Sequence, residues 1–353
     1  MLFSLPRRGP RRMEKTAAIA VTDDRTEAPG RAAVWGRLAK ARLSALVLVT
    51  AAAGFVVAPV GELDWVRLAW TCLGTGLAAA SAAMLNQLVE VRRDALMRRT
   101  AGRPLPAGHA RPVTVFVAGV LAGYAGCTVL ALGTTVLASA FAAANILLYV
   151  LVYTPLKPRT TLNTLVGAVT GAIPPVIGWT AACGELGPGA VSLFALLFAW
   201  QLPHFLALAW MYRHDYAAGG FAMLPSRDPS GVATAQSCVL TSLLLVPVGL
   251  LPTLTGVAGI AYASIATVAG IWMSVKSAMF LRGRTDLAAR ALFLASLGYL
   301  PVVLGAMVLD RGSIVPTARP APGTTVIEVP AAAVPPVPPA QPAPSAPPAG
   351  QAP

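Results

Sequence analysis

The stretch Leu68–Leu88, LAWTCLGTGLAAASAAMLNQL, decides the fold class of this chain. It carries no charged side chain and is as long as the hydrocarbon core of a bilayer requires. A run of about 20 apolar residues crosses that core as a helix, because only a helix satisfies its own backbone hydrogen bonds there. The stretch therefore predicts a transmembrane helix.

Similar apolar runs recur along the chain, and the composition agrees with them. Of the 353 residues 56% are hydrophobic and 12% are charged, whereas soluble proteins are about 25% charged. We predict an all-α membrane protein with about nine transmembrane helices. The division between the seventh and eighth spans depends on Thr253–Gly256 alone. The predicted spans are Leu43–Val60, Leu68–Leu88, Val113–Leu132, Thr135–Tyr153, Leu162–Ala182, Val191–Tyr212, Ala235–Leu254, Val257–Val275 and Ala291–Leu309.

Basic residues give the chain a formal net charge of +13, but they are not spread evenly. If nine helices alternate, nearly all Lys and Arg residues fall on one side of the membrane. The positive-inside rule then places the N-terminus in the cytoplasm and the C-terminus outside. This distribution indicates topology and lipid contact, and it excludes a nucleic-acid footprint. The basic groups precede residue 43 or lie at Arg92–Arg111, Lys157 and Arg159, Arg213 and Arg227, and Lys276–Arg290.

Composition also divides the chain into segments. Residues 1–34 are polar and charged, and we predict a disordered cytoplasmic segment there. Residues 35–310 form the membrane domain, and residues 311–353 are a Pro/Ala-rich tail that we predict to be disordered. No cleavable signal is evident, since the first apolar run begins near residue 43. A bacterial cell membrane is the simplest location for such a multi-pass protein.

The sharpest motif is NQLVEVRRDALMRRTAGRP, residues 86–104. On a helix Asn86, Glu90 and Asp94 stand at i, i+4 and i+8, which stacks them on one face. Such oxygen ligands suit Mg²⁺, and arginines at positions 98, 99 and 103 suit phosphate. The alternative is a helix end with snorkelling charges and an Asp94–Arg98 ion pair. A carboxylate entering from a spanning helix is costly, which favours a function.

A second motif joins WQLPHF, residues 200–205, to a segment that starts at Tyr212 and ends at Pro225. It places Asp215 at the cytoplasmic end of the sixth span, where it can face the first motif. His204 lies about two turns inside that span. It is either a core histidine bonded to a backbone carbonyl, an iron ligand, a proton carrier or a hydrogen-bond partner of a substrate.

A third motif, YTPLKPRTTLNT, occupies residues 153–164. Its Lys157 and Arg159 are either positive-inside markers or ligands for an anion. The span that follows has Gly167 and Gly171 at GxxxG spacing, which indicates close helix packing.

Together the three segments resemble the UbiA-type intramembrane prenyltransferases and, within that superfamily, the haem O synthase branch. The first motif follows the superfamily pattern N-x-x-x-D-x-x-x-D-x-x-M-x-R-T-x-x-R-P, and the other two separate the haem branch from enzymes that prenylate quinone precursors. The likeness covers about residues 36–309. Glu90 stands where the superfamily usually has Asp, and Asp215 is one carboxylate where many members have two. The number of metal ions therefore stays open.

The resemblance implies a helical bundle around a central cavity and a Mg²⁺-dependent transfer of farnesyl from farnesyl diphosphate to a vinyl group of haem b. Haem is then a substrate, and the product haem O serves haem–copper oxidases. Partners would be the lipid bilayer and, among proteins, haem A synthase or oxidase assembly proteins. The implied catalytic and Mg²⁺ ligands are Asn86, Glu90, Asp94 and Asp215. The implied diphosphate ligands are Arg98, Arg99, Arg103, Lys157 and Arg159. Those implied for the prenyl chain or haem are Tyr149, Tyr153, Asn163, Trp200, Gln201, His204 and Phe205.

Three other functions remain open at this stage. A relative with an aromatic quinone-precursor acceptor would share the first motif. A secondary transporter would place its acidic residues near the bilayer midplane rather than at one face. A non-catalytic assembly factor for a terminal oxidase would tolerate replacement of Asn86 or Asp94.

Overall fold

The computed structural model describes residues 30–311, and within that part of the chain every regular element is a helix. One π-helical turn, Leu148–Tyr153, joins α5 to α6. The helices are α1 Arg31–Leu38, α2 Ala41–Val56, α3 Trp65–Asp94, α4 Pro112–Gly133, α5 Val136–Leu147, α6 Thr154–Leu156, α7 Asn163–Cys183, α8 Pro188–Met211, α9 Arg213–Ala218, α10 Leu224–Arg227, α11 Val232–Leu254, α12 Ile260–Gly283 and α13 Asp286–Leu309.

The number of spans agrees with the predicted number. Within the described residues eight helices are long and apolar enough to cross a membrane, with Val136–Leu156 counted as one. The pair α1 and α2, bent by 52°, makes a ninth if it counts as a single span. The all-α membrane fold is confirmed. The break at Thr253–Gly256 is also present, since α11 ends at Leu254 and Gly256 adopts φ +75°.

The boundaries predicted for the membrane domain, residues 35 and 310, stay a prediction. Helix α1 begins at Arg31, a few residues before the predicted start at residue 35. Residues 1–29 lie outside the described part, as does the Pro/Ala-rich tail after Arg311.

Helix α3 is longer than the predicted span and carries the first motif. It runs for 30 residues, and the Asp64 side chain accepts a hydrogen bond from the Arg67 backbone N–H at its start. Arg92 and Arg93 in its last turn interact favourably with the helix dipole. The predicted span ends at Leu88, but the charged residues that follow it belong to the same helix, which continues to Asp94.

Helix α7 lies at the centre of the bundle. In the most apolar 18-residue stretch of α7, 78% of the residues are buried, whereas the corresponding share in the Val136–Leu156 span is 11%. It packs against α2, α5 and α8, and α8 in turn packs against α11 and α13. Large apolar side chains on outer helices, such as Val113, Leu240 and Ile260, stay exposed, as expected of residues that face lipid.

Glycines allow α2 and α7 to approach closely. A Cβ atom at Gly54 would overlap the Pro175 carbonyl, and one at Gly178 would overlap the Ala51 carbonyl. Because both obstacles are backbone atoms, neither can move aside without shifting a helix. Small residues at such crossings are what transmembrane packing requires.

We expect Gly178→Ala to lower the thermal unfolding temperature of the detergent-solubilised protein clearly, since over-packing costs about 1–3 kcal/mol. Gly305→Ala is the matched control, because nothing lies within 4 Å of its added Cβ. Unfolding temperatures for both variants measure the difference. Equal stabilities would contradict the close α2–α7 contact.

The π-helical turn before α6 has a local cause. Pro155 has no N–H to donate into the helix, so the regular hydrogen-bond ladder is interrupted there. The Thr154 hydroxyl donates to the Tyr149 carbonyl at 2.8 Å across the widened turn. Such turns often occur at functional sites, and this one brings Tyr153 and Lys157 beside α3.

Candidate active site

A polar cavity lies where the end of α3, the end of α6 and the segment after α9 meet. Its volume is about 130 Å³. Six residues from the predicted site line it, together with five others. The lining consists of Lys40, Glu90, Asp94, Met97, Arg99, Arg103, Tyr153, Lys157, Tyr216, Phe221 and Met223.

The three stacked residues of α3 are buried, and each accepts a hydrogen bond from a cation. Lys40 Nζ lies 2.9 Å from Asn86 Oδ1. Lys157 Nζ lies 2.6 Å from Glu90 Oε1, and Arg103 lies 2.6 Å from Asp94 Oδ2. Asn86 also donates to the Thr154 hydroxyl at 3.0 Å. The alternative Asp94–Arg98 ion pair is absent from the described residues, where Arg98 is exposed.

Lys157 stays protonated in this setting. Burial by itself lowers its pKa, whereas the neighbouring Tyr153 and Glu90 raise it, and the net effect is a raised pKa. The ammonium group also lies 4.5 Å from the centre of the Tyr153 ring. A permanent positive charge therefore faces the cavity between a carboxylate and an aromatic ring.

Arg93 and Arg99 connect the first motif to the second. The Arg93 guanidinium donates to the carbonyls of Gly219 and Gly220, both at 3.1 Å. The Arg99 guanidinium lies 4.8 Å from the centre of the Tyr212 ring and donates to the Tyr216 hydroxyl at 3.4 Å. These contacts hold α9 against the end of α3.

The third motif is fixed to the second by Asn163 and Lys157. Asn163 is buried and donates to the Ala222 carbonyl at 3.0 Å, and the Ala222 N–H donates to the Lys157 carbonyl at 2.7 Å. Phe221 and Met223, on either side of Ala222, reach the cavity. Asn163 thus supports the cavity wall without lining it.

Four of the predicted metal and diphosphate ligands do not line the cavity: Asn86, Arg98, Arg159 and Asp215. Asn86 lies behind Lys40, whereas Arg98 and Arg159 are exposed. Between residues 30 and 311, no group of three or more His, Cys, Asp or Glu side chains is close enough to hold a metal ion. Asp215, on the half-buried α9, is therefore not gathered with Glu90 and Asp94 here.

The donor set on α3 nevertheless fits Mg²⁺. Asp94 Oδ1 is buried and has no hydrogen-bond partner among the described residues. Glu90 and Asn86 place further oxygen atoms on the preceding turns of the same face. Mg²⁺ binds such hard oxygens through one or two carboxylates, keeping several waters or sharing substrate phosphates.

The predicted aromatic residues separate into two groups. Tyr149 and Tyr153 lie together near the cavity, with ring centres 5.1 Å apart. Trp200, His204 and Phe205 lie on α8, and His204 stacks between Trp200 and Phe293 of α13.

The two glycines of α7 receive side chains from neighbouring segments. A Cβ atom at Gly171 would overlap the Gln201 side-chain oxygen, and one at Gly167 would lie 2.8 Å from the Tyr153 ring. The GxxxG spacing therefore accommodates Gln201 and Tyr153, which fixes where these side chains lie.

Five lining residues were missed by sequence reasoning: Lys40, Met97, Tyr216, Phe221 and Met223. Four of them lie inside quoted motifs, but nothing in the pattern marked them as lining residues. Lys40 appeared only as one of many basic residues ahead of the first span. What distinguishes Lys40 from those other basic residues is its backbone conformation, since it adopts φ 48° at the bend between α1 and α2.

We expect Lys40→Asn to raise KM for the farnesyl diphosphate substrate that the resemblance implies about 10- to 100-fold, the value of one charge-assisted hydrogen bond. Asn tolerates the left-handed conformation of this position, and it removes the ammonium group together with its hydrogen bond to Asn86. Arg42→Asn is the control, because Arg42 is an exposed cation two residues away. Steady-state kinetics in detergent measures both. A wild-type KM for the Lys40 variant would contradict a role in diphosphate binding.

Comparison with known proteins agrees with this architecture. The profile of the UbiA prenyltransferase family matches residues 47–298. A protoheme IX farnesyltransferase of Salinibacter ruber is 44% identical over 273 residues, 77% of this chain and 96% of the relative. One from Solibacter usitatus is 40% identical over 283 residues, 78% of this chain and 97% of the relative.

Solved structures share the fold at low identity. A digeranylgeranylglyceryl phosphate synthase superposes with a TM-score of 0.67 at 15% identity, covering 79% of this chain and 97% of that one. A UbiA homologue from Archaeoglobus fulgidus bound to GPP and Mg²⁺ gives 0.57 at 14% identity, covering 78% of this chain and 99% of that one. The resemblance inferred from the three motifs is confirmed: the chain belongs to the UbiA prenyltransferase family.

Proposed function

We propose that this membrane enzyme transfers the farnesyl group of farnesyl diphosphate to a vinyl group of haem b and so forms haem O. The observation that carries the proposal is the cavity in which four basic side chains face two carboxylates. A diphosphate with a bound divalent ion needs both kinds of group in one place. Relatives named protoheme IX farnesyltransferase, 40–44% identical, support the acceptor.

Diphosphate recognition would fall to Lys40, Arg99, Arg103 and Lys157. All four line the cavity; Lys157 and Arg103 pair with the carboxylates of Glu90 and Asp94, and Lys40 donates a hydrogen bond to the Asn86 amide oxygen. An incoming diphosphate offers these cations oxygens of higher charge, so they would move from α3 to the substrate. Arg98 and Arg159, exposed nearby, would add to the positive field that attracts the substrate.

Asn86, Glu90 and Asp94 would then be free to hold Mg²⁺. Bound there, the ion would neutralise negative charge that develops on the leaving diphosphate. The bound homologue from Archaeoglobus fulgidus supports a divalent ion of this kind. Asp215 would join as a further ligand if α9 moves toward α3 when the substrate binds. Asp215 lies on the short helix α9, which follows α8 and is itself followed by Gly219 and Gly220. This position is compatible with such a movement.

The allylic cation that remains after diphosphate departure needs an aromatic, dry surrounding. Tyr153 and Phe221 line the cavity beside Lys157, and Tyr149 packs on Tyr153. Their ring faces would stabilise the cation, and the buried surroundings would exclude water that would quench it. Attack by a haem vinyl group and addition of water complete the hydroxyethylfarnesyl side chain.

Haem would be held deeper in the bundle by the residues of the second motif. Four of these residues lie on α8, farther from the cavity than the C-terminal end of that helix: Trp200, Gln201, His204 and Phe205. Asn163 would act indirectly, since it fixes the wall that carries Phe221 and Met223. This assignment leaves the diphosphate and the porphyrin at different depths, with the prenyl chain between them.

Orientation follows from the basic residues. We place the cavity, the N-terminus and the basic loops in the cytoplasm of a bacterial cell, and the C-terminus on the opposite side of the cell membrane. Farnesyl diphosphate is water-soluble at its charged end, so a cytoplasmic cavity suits its entry. The product would pass to haem A synthase or to proteins that assemble the terminal oxidase.

The test is an assay of purified protein in nanodiscs with radiolabelled farnesyl diphosphate and MgCl₂. Parallel reactions receive haem b or 4-hydroxybenzoate, and products are separated by chromatography. We expect label in haem O alone, and none when EDTA replaces MgCl₂. Label in the aromatic acid alone would overturn the proposed acceptor, and the absence of any transfer would overturn the proposed reaction.

A further inference from the structure

Ser296 of α13 contacts two residues of the second motif, Trp200 and His204. The Trp200 indole N–H donates to the Ser296 carbonyl at 2.8 Å, and His204 Nδ1 lies 2.7 Å from the Ser296 hydroxyl. Trp200 and Ser296 are buried, and His204 is half-buried. One residue of α13 therefore fixes two consecutive inward-facing positions of α8. Nothing in the three motifs pointed to Ser296.

The hydrogen-bond directions at Ser296 determine which histidine nitrogen carries the proton. The Ser296 hydroxyl donates its single hydrogen to the Phe293 carbonyl at 2.6 Å. It therefore has only lone pairs to offer His204, so Nδ1 must be the N–H donor. In a neutral imidazole the other nitrogen, Nε2, is then unprotonated and carries a lone pair.

The ring is also fixed in orientation. Its centre lies 5.1 Å from that of Trp200 at 24°, and 4.8 Å from that of Phe293 at 29°. Stacking against two aromatic rings and a hydrogen bond at Nδ1 leave the His204 ring little freedom to rotate. Within residues 30–311 Nε2 has no hydrogen-bond partner, so its lone pair is available to a ligand.

His204 is the histidine best placed for a membrane-embedded ligand. The chain has three histidines. His109 and His214 are exposed outside the long helices, whereas His204 lies within α8, about 10 Å from the end of that helix. A porphyrin among the apolar helices would therefore meet a single imidazole.

We infer that Ser296 is a positioning residue that holds His204 in the Nδ1–H form, so that Nε2 ligates the iron of the haem substrate. The Nε2 lone pair forms a coordinate bond to iron, and no proton or electron leaves the site. Metal-bound histidines commonly donate their other ring N–H to an acceptor, which orients the ring and raises its basicity. This inference rests on the proposed function, because it takes haem as the acceptor.

The test uses the full-length protein in nanodiscs with ferrous haem b. Resonance Raman spectroscopy records the iron–imidazole stretching band, and absorption titration gives the haem Kd. We expect Ser296→Ala to shift the band to lower frequency and to weaken haem binding about 10- to 100-fold, because the hydrogen bond that raises imidazole basicity is lost. Ser296→Thr should keep the wild-type band, since it keeps the hydroxyl.

Three further variants show whether the shift depends on the hydrogen bond between Ser296 and His204. Ser277→Ala removes another buried helix hydroxyl, bonded to Ser242 at 2.7 Å, and should leave the band unchanged. His204→Gly should lose the band and regain it with added imidazole. The restored band should then be the same in His204→Gly/Ser296→Ala, because free imidazole is not held by residue 296.

An unshifted band in folded Ser296→Ala, or a band that survives His204→Gly without imidazole, would overturn the inference. If the alanine variant does not fold, Ser296→Cys replaces it, with a smaller shift in the same direction expected from a weaker acceptor. Wild-type protein that makes haem O but shows no iron–imidazole band would contradict the inference alone. Wild-type protein that neither binds haem nor makes haem O would instead contradict the proposed function.

Discussion

Replacing Asp94 with Asn is expected to lower the rate of farnesyl transfer about 10²- to 10³-fold, comparable with the loss of one key electrostatic contact in other enzymes. Asp94 is fully buried at the end of α3 and accepts a hydrogen bond from Arg103, and its second oxygen has no partner within residues 30–311. The amide keeps the size of the side chain but loses the charge that would hold Mg²⁺. Initial rates at saturating Mg²⁺ measure the loss.

Asp286→Asn is the matched control for this prediction. Asp286 also pairs with an arginine, Arg213, at 2.6 Å, but its side chain is 65% exposed and is not part of the cavity lining. We expect it to keep nearly wild-type activity, since exposed ion pairs contribute little. Equal rates for Asp94→Asn and the wild type would remove Asp94 from the site and favour a non-catalytic assembly role.

Replacing Lys157 with Met is expected to abolish detectable transfer and to destabilise the protein by about 3–5 kcal/mol. The reason is that Glu90, 5% exposed, would remain as a buried charge without its partner. The loss of activity has a separate cause, since Lys157 would no longer neutralise the diphosphate. Thermal unfolding and initial rates report the two effects separately.

A double variant distinguishes stability from catalysis. Glu90→Gln/Lys157→Met removes both charges, so we expect it to recover most of the stability lost in Lys157→Met while transfer stays undetectable. Lys276→Met, on α12 outside the cavity lining, is the control for the loss of one lysine. If the double variant regained activity along with stability, the role of the ion pair would be structural.

The sequence by itself determined the membrane fold and the family. Apolar runs such as Leu68–Leu88 leave a chain in lipid no other way to satisfy its backbone, and this physical constraint operates locally. The spacing of Asn86, Glu90 and Asp94 placed three oxygen-bearing side chains on one face for the same reason, since helical periodicity is fixed by local geometry.

Only the tertiary structure decided which cations meet those oxygens. Lys40 and Asn86, like Lys157 and Glu90, are far apart in sequence, and their contacts depend on how α2, α3 and the π-helical turn before α6 pack. The bend at Lys40 and the interruption at Pro155 aim these side chains inward, and neither direction can be read from periodicity.

The same holds for the second motif. Its residues were recognised from sequence, but the proton on His204 depends on a serine 92 positions later in the chain. That contact forms because α8 and α13 pack side by side. Local sequence set the residues that can do chemistry, and packing between distant helices set their partners, because hydrogen bonds and ion pairs act only over a few ångströms.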